Sequence, residues 1–174
     1  VRMPMYLYLG DITRMETDAI VNAAGTDLRR CPGICDAIFA AADTEELERA
    51  CRKLGRCRIG QAVATPGCGL PCRYIIHVAG PGWYGGEPRE RFLLAGCYQN
   101  ALHKAYLCSC RRVAVPLIFS GDCHMPRAAS LRVAGAAIAD FCQRHPSMEV
   151  TLVLYRQSIY DMAKRILGWE DAPS

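Results

Sequence analysis

Strand-like and helix-like segments alternate along the whole chain, and this alternation restricts the possible folds more than any other feature of the sequence. The strand-like segments are largely continuous apolar runs, which is typical of strands that are buried on both faces of a parallel sheet. Parallel strands need helical connections, and these cover both faces of the sheet. The sequence therefore predicts a single α/β domain over residues 1–174, with three layers in the order α/β/α and a largely parallel sheet.

Local signals set the bounds of the predicted elements. Asp43 or Thr44 followed by Glu46 resembles a capping box, which predicts a helix that begins there and ends at Gly55. The predicted strands cover residues 5–9, 19–24, 62–65, 73–79, 112–119 and 148–155. The predicted helices cover residues 34–42, 44–54, 87–107, 126–144 and 158–167.

Composition excludes several classes of protein. The chain has 174 residues and a formal net charge of +4, with a pI of about 8.5. Dedicated nucleic-acid-binding domains have a pI above ~9, so nucleic acid is not the expected partner. No apolar stretch approaches the ~18–20 residues of a membrane span. An anionic ligand is compatible with this mildly basic charge balance.

Eleven cysteines are an unusual number for a chain of this length. None of them has Cys-x-x-Cys spacing, so the pattern does not predict a zinc finger or a zinc ribbon. No apolar leader precedes the first strand, so we expect reduced thiols in a cytoplasmic chain. We also expect no resident metal ion and no cofactor.

Ligands of open α/β sheets bind on the loops that follow the carboxyl ends of the strands. Four predicted loops occupy such positions, over residues 10–13, 22–34, 80–86 and 120–126. His77 lies inside an apolar strand instead, and we interpret it as a core or strand-end histidine whose hydrogen bonds are satisfied. The four loops are where binding residues are expected.

The motifs on these loops resemble those of the macro domain family, whose fold binds ADP-ribose. The resemblance runs in order from Leu9 to about Cys142 and implies a three-layer α/β/α sandwich with a mixed, mostly parallel central sheet. The matching segments are Gly10-Asp11-Ile12-Thr13, Asp18–Ala24, Gly60–Gly67 with Leu70-Pro71, Tyr74–Pro81, Val115-Pro116, Ser120-Gly121 and Pro126.

The resemblance implies the role of each matching residue. Asp11 would accept a hydrogen bond from the exocyclic amine of adenine, with the amide of Ile12 close to the ring. Asn22 would lie near the distal ribose. Backbone amides at the start of a helix would hold the pyrophosphate. The phosphate-binding residues on the two loops would be Gly33, Ile34 and Cys35 on the first and Ser120, Gly121, Asp122, Cys123 and His124 on the second.

The sequence departs from the hydrolytic members of the family at three positions. Those members carry Asn-Ala-Ala-Asn, an Asp ten residues later and in some cases a His after that. Here these positions are Gly25, Cys35 and Phe39. Asp36 is the only carboxylate nearby, so it is the candidate catalytic residue. A shift of one residue along a helix turns a side chain by about 100°, which points Asp36 away from the usual position.

The phosphate loops depart from the family pattern as well. Pro32 interrupts the glycine run of the first loop and removes one N–H donor, and Arg29 or Arg30 could compensate with a charged contact. In the second loop, Cys123 and His124 replace an aromatic residue and a glycine. A metal site made of Cys35, Cys123 and His124 is an alternative interpretation of these changes.

Two functions from different classes follow from the resemblance. The first is a binding module for ADP-ribose, a related adenine nucleotide or an ADP-ribosylated protein. The alternative is an ADP-ribosyl hydrolase or an O-acetyl-ADP-ribose deacetylase, in which activated water attacks at the distal ribose. The substitutions at Gly25 and Cys35 favour binding over hydrolysis.

Overall fold

The computed structural model describes residues 4–81, 87–118 and 125–173. Within these ranges the strands are β1 (Met5–Leu9), β2 (Ala19–Ala24), β3 (Ala62–Pro66), β4 (Tyr74–Ala79), β5 (Arg112–Pro116), β6 (Glu149–Leu154) and β7 (Glu170–Asp171). The helices are α1 (Ile34–Ala41), α2 (Thr44–Leu54), α3 (Pro88–Leu107), α4 (Arg127–Arg144) and α5 (Gln157–Leu167). A single 3-10 turn covers Ile12–Arg14.

The seven strands form one mixed sheet in the order β3-β4-β2-β5-β6-β1-β7. Every neighbouring pair is parallel except β3 and β4, which are antiparallel. The carboxyl ends of β1, β2, β4, β5 and β6 therefore meet at the same edge of the sheet. The predicted mixed, mostly parallel sheet is confirmed.

Side chains of β2 alternate between the two faces of the sheet. Ala19 and Val21 belong to a first core, whereas Ile20 and Ala24 belong to a second. The first core is filled from α3, α4 and α5 by large buried side chains such as Tyr98, Leu131, Ile138 and Phe141. The second is filled from α1 and α2 by Ile38, Phe39, Leu47 and Cys51. Two helical layers thus enclose the sheet, which confirms the three-layer sandwich.

One predicted strand differs from the structure by more than one residue at an end, and one short strand is absent from the prediction. The strand predicted over residues 112–119 ends at Pro116. Its continuation leaves the sheet because the backbone N–H of Ile118 donates to Tyr98 Oη at 2.8 Å instead of to a neighbouring strand. The two-residue strand β7 was not predicted, since two residues carry no pattern. No helix within the described ranges is long and apolar enough to cross a membrane.

Candidate functional site

The carboxyl edge of the sheet places the first two predicted binding segments close together. The loop after β1 is held against β6, because the N–H of Gly10 donates to the carbonyl of Leu154 at 2.9 Å. Ile12, from this loop, is buried in the second core together with Leu28 and Cys35. The 3-10 turn after β1 therefore packs against α1.

Asp11 is exposed at the start of the 3-10 turn. Its Oδ1 accepts hydrogen bonds from the backbone N–H of Thr13 at 2.9 Å and from Thr13 Oγ1 at 2.7 Å. Within the described residues no donor is bonded to the second carboxylate oxygen, Oδ2. A cleft of about 460 Å³ is lined by Tyr8, Gly10, Asp11, Arg14 and Met15. The cap thus fixes the carboxylate and leaves one oxygen for a ligand.

The first turn of α1 begins at Gly33, which has a φ of 92°. The carbonyl of Gly33 accepts the first helical bond, from the N–H of Ala37. The amide N–H groups of residues 33–36 precede that bond, and the described part of the chain provides no backbone acceptor for them. Unpaired amides at a helix N-terminus attract anions. The predicted phosphate-binding role of Gly33, Ile34 and Cys35 stays a prediction.

Asp36, the candidate catalytic residue, is exposed in the first turn of α1. Its Oδ1 lies 2.6 Å from Arg30 Nε. This ion pair places the Arg30 guanidinium beside the amides of the same turn. The pair holds Arg30 at the first turn of α1 and engages the Asp36 carboxylate.

Asn22 is fully buried and belongs to a polar network on the face of the sheet that α1 and α2 cover. Asn22 Nδ2 lies 3.0 Å from His77 Nδ1, and His77 Nε2 lies 3.0 Å from Thr65 Oγ1. The same Nδ2 lies 3.7 Å from the sulfur of Cys35. Burial lowers the pKa of His77 to about 4, so the imidazole is neutral at pH 7. The interpretation of His77 as a satisfied core histidine is confirmed.

The thiol of Cys31, which precedes α1, is not suited to nucleophilic attack. Burial, followed by a hydrogen bond with Cys35, raises the pKa of Cys31 to about 12. A thiol with such a pKa carries almost no thiolate near pH 7. The described residues contain no group of three or more side chains that could hold a metal ion. The alternative site of Cys35, Cys123 and His124 is not tested, because its last two members lie outside the described residues.

The second predicted phosphate loop, with Ser120, Gly121, Asp122, Cys123 and His124, lies outside the described residues. The described residues on either side of it are anchored in the first core. Ile118 and Met125 are both buried there. The predicted roles of the five loop residues stay predictions.

Sequence reasoning missed one residue at this edge of the sheet. Tyr155 directly follows β6, whose carbonyl at Leu154 holds the loop that carries Asp11. Its side chain is 81% exposed. The sequence feature that could have identified it is an aromatic residue just past the carboxyl end of a predicted parallel strand, because ligands of such sheets bind there. An exposed aromatic ring there is suited to stacking on a planar base.

The chain is similar in sequence to known proteins of one family. The family model described as "Macro domain" matches residues 21–134. A macro domain-containing protein of Mesorhizobium japonicum is 43% identical over 133 residues, which are 76% of this chain and 75% of that protein. The O-acetyl-ADP-ribose deacetylase of Escherichia fergusonii is 38% identical over 168 residues, which are 94% of each chain.

Solved structures resemble the whole sandwich. The Oceanobacillus iheyensis macrodomain with ADP has a TM-score of 0.87 and 31% identity, covering 93% of this chain and 88% of its own. The Trypanosoma brucei macrodomain in complex with ADP-ribose has a TM-score of 0.85 and 26% identity, covering 94% of this chain and 69% of its own. Sequence and fold agree, and the chain belongs to the macro domain family.

Proposed function

We propose that this chain binds ADP-ribose or a related adenine nucleotide, either free or attached to a protein. One observation carries the proposal: the 3-10 turn that fixes the Asp11 carboxylate packs against α1, whose first turn carries unpaired amides. The carboxylate accepts from a base and the amides bind phosphate, so together they match the two ends of an adenosine diphosphate.

The adenine end of the proposed site consists of Asp11 and Tyr155. Oδ1 of Asp11 is occupied by Thr13, so Oδ2 is the oxygen that accepts from the exocyclic amine of adenine. A keto purine has no donor at that position, so a carboxylate selects adenine over hypoxanthine. Tyr155 supplies an exposed ring for stacking on the base.

The phosphate end consists of the amides of residues 33–36 and the guanidinium of Arg30. Unpaired N–H groups and the helix dipole both favour an anion at this position. Arg30 adds a charged donor beside them and is held there by Asp36. The charged donor of Arg30 compensates for the backbone N–H that Pro32 lacks.

The similar proteins support the same ligand class, since two of the structures contain ADP and ADP-ribose. The relative named O-acetyl-ADP-ribose deacetylase supports hydrolysis as a second candidate function. In that case Asp36 would be the candidate catalytic residue. The rate of acetate release from O-acetyl-ADP-ribose would measure this hydrolytic activity. The ten cysteines within the described ranges are free thiols, which supports the proposed cytoplasmic location.

Calorimetry with ADP, inosine diphosphate and ADP-ribose tests the proposal on wild type and on Asp11→Asn. The asparagine oxygen keeps the cap on Thr13, while its amide group replaces the free carboxylate oxygen with a donor. We expect wild type to prefer ADP over inosine diphosphate, and Asp11→Asn to bind ADP at least about tenfold more weakly.

The matched control is Asp140→Asn, which changes an exposed carboxylate on α4. It should leave all three affinities unchanged. Wild-type protein that binds neither ADP nor ADP-ribose, or that binds ADP and inosine diphosphate equally well, would contradict the proposed adenine site.

A further inference from the structure

Residues 49–58 carry five cationic side chains and no carboxylate. The whole chain has a formal net charge of +4, so the remaining residues together carry a net charge of −1. All five cationic residues are exposed: Arg49, Arg52, Lys53, Arg56 and Arg58. None of them forms an ion pair within the described part of the chain. The net positive charge of the protein is therefore concentrated in residues 49–58, which we call the basic segment.

The helix α2 and the loop after it present these charges together. Arg49, Arg52 and Lys53 have the spacing i, i+3 and i+4, which places them on one face of the helix. The other two cations follow on the loop that begins at Gly55. The helix dipole favours cations in the last turn, which holds only Arg52 and Lys53. The stability of α2 therefore does not account for the remaining three charges.

The basic segment borders the carboxyl edge of the sheet, where the proposed nucleotide site lies. The N–H of Cys57 donates to the carbonyl of Thr26, two residues after β2, at 2.9 Å. Further along the same loop, the N–H of Gly60 donates to the carbonyl of Ala79, the last residue of β4, at 2.6 Å. Asp11 follows β1, and β5 and β6 lie between β1 and β2. The basic segment is therefore separated from Asp11 by these two strands.

Two exposed apolar side chains accompany the charges. Leu54 is 42% exposed and Ile59 is 56% exposed. Residues 49–59 contain no aromatic side chain. Proteins that bind single-stranded nucleic acid combine cations with aromatic side chains on which the bases stack. Cations beside exposed leucine and isoleucine instead match a polypeptide segment that carries both carboxylates and apolar side chains.

We propose that the basic segment binds an acidic segment of the protein to which ADP-ribose is attached. The inference rests on the proposed function and extends it. With adenine at Asp11 and the phosphates at the first turn of α1, the other end of the ligand points toward β2, against which α1 packs. A protein is joined to ADP-ribose through the ribose at that end, so the polypeptide leaves the site beside the basic segment. Four of its five cations are arginines, which pair with carboxylates through two parallel hydrogen bonds.

The experiment compares free ADP-ribose with two short peptides that carry ADP-ribose on a central serine. One peptide has glutamates and leucines around the serine, and the other has glutamines in place of the glutamates. At about 50 mM salt, calorimetry should show that wild type binds the glutamate peptide about tenfold more tightly than free ADP-ribose, because several exposed ion pairs add to the affinity. At about 300 mM salt the difference should shrink to about twofold, since salt screens exposed charges. The glutamine peptide should bind like free ADP-ribose at both salt concentrations.

The test variant is Arg52→Gln/Arg56→Gln, which removes two charges of the basic segment and none of the proposed nucleotide contacts. It should bind free ADP-ribose as wild type does, and its preference for the glutamate peptide should fall to about threefold or less. Arg132→Gln/Arg165→Gln is the matched control, since these two arginines are exposed on α4 and α5, which cover the other face of the sheet. The control removes the same charge and should keep the wild-type preference.

The outcomes separate this inference from the proposed function. Protein that binds neither free ADP-ribose nor the peptides refutes the proposed function, and the inference falls with it. Protein that binds free ADP-ribose and both peptides equally well keeps the proposed function and refutes the role of the basic segment. Equal loss of the preference in the two double variants would show a long-range effect of net charge, which also overturns the inference. Single-stranded RNA that binds wild type more tightly than the glutamate peptide, but not Arg52→Gln/Arg56→Gln, would identify a nucleic-acid surface instead.

Discussion

At the scale of single residues, the burial of His77 couples its protonation to the stability of the fold. The folded chain lowers the pKa of His77 from an ordinary value of 6.5 to about 4 by desolvation. Between these two pH values the unfolded chain binds the proton and the folded chain does not. The stabilisation is therefore complete above pH 6.5 and is lost as the pH falls toward 4.

We expect the His77→Gln variant to lose less stability in acid than wild type does. Through His77 alone, the free energy of unfolding of wild type should fall by about 3 kcal/mol between pH 7 and pH 4. Urea denaturation at several pH values in this range measures the difference. His103→Gln is the control, since His103 is exposed and should keep the wild-type profile. Parallel profiles for wild type and His77→Gln would contradict the neutral buried imidazole.

The role of a single residue could be predicted from the sequence where its hydrogen-bond partner lies a few positions away along the chain. Asp43 accepts from the N–H of Glu46 at 3.1 Å, as the capping pattern predicted. Asn22 and His77, in contrast, are 55 positions apart. They meet because β2 and β4 pair with these two residues in register. That register depends on the whole sheet, so no local pattern could reveal the partner of His77.

At the scale of elements, the start of α1 determines the proposed phosphate site. Gly33 has φ 92° and ψ −140°, a conformation that residues with a Cβ rarely adopt. A Cβ built at Gly33 would have no atom within 4 Å, and the same is true of Gly96 in the middle of α3. The two glycines thus differ in backbone conformation and not in the space around them.

The variants Gly33→Ala and Gly96→Ala should have opposite effects. Backbone strain should make Gly33→Ala less stable by about 1–3 kcal/mol and reduce affinity for ADP-ribose, because the first amides of α1 shift. Gly96→Ala should be more stable by roughly 0.5–1 kcal/mol, since alanine favours a helix interior. Urea denaturation and calorimetry measure both. If the two variants had equal free energies of unfolding, a side chain at position 33 would not strain the backbone, which would contradict the expectation.

Helices and strands were predicted well where both of their ends carry a local signal. The helix α2 begins after Asp43 and ends at Leu54, before Gly55, as predicted. The strand β5 ends early because Ile118 bonds to Tyr98, which comes from α3 and lies 20 positions earlier. The order of the strands and the antiparallel pairing of β3 also depend on contacts between distant segments. The alternation of strand and helix patterns predicted the three layers, and the resemblance to the family predicted that the sheet is mixed.

At the scale of the whole molecule, one hydrogen bond connects the first core to the carboxyl edge of the sheet. Tyr98 is completely buried in α3. Its Oη accepts from the N–H of Ile118, which lies two residues before the predicted second phosphate loop at Ser120. Ile118, the last described residue before that loop, is therefore held by a helix on the face of the sheet opposite α1.

We expect Tyr98→Phe to weaken both the fold and the proposed binding site. The substitution removes only the oxygen and leaves the buried N–H of Ile118 without its partner, which should lower the free energy of unfolding by about 1–3 kcal/mol. Binding of ADP-ribose should weaken too, if the loop after Ile118 holds phosphate as predicted. Tyr106→Phe is the control, because Tyr106 is exposed and should behave as wild type. If Tyr98→Phe is less stable but binds ADP-ribose with wild-type affinity, Tyr98 stabilises only the core. The second loop would then make no contribution to the affinity, and α1 and Asp11 alone would account for binding.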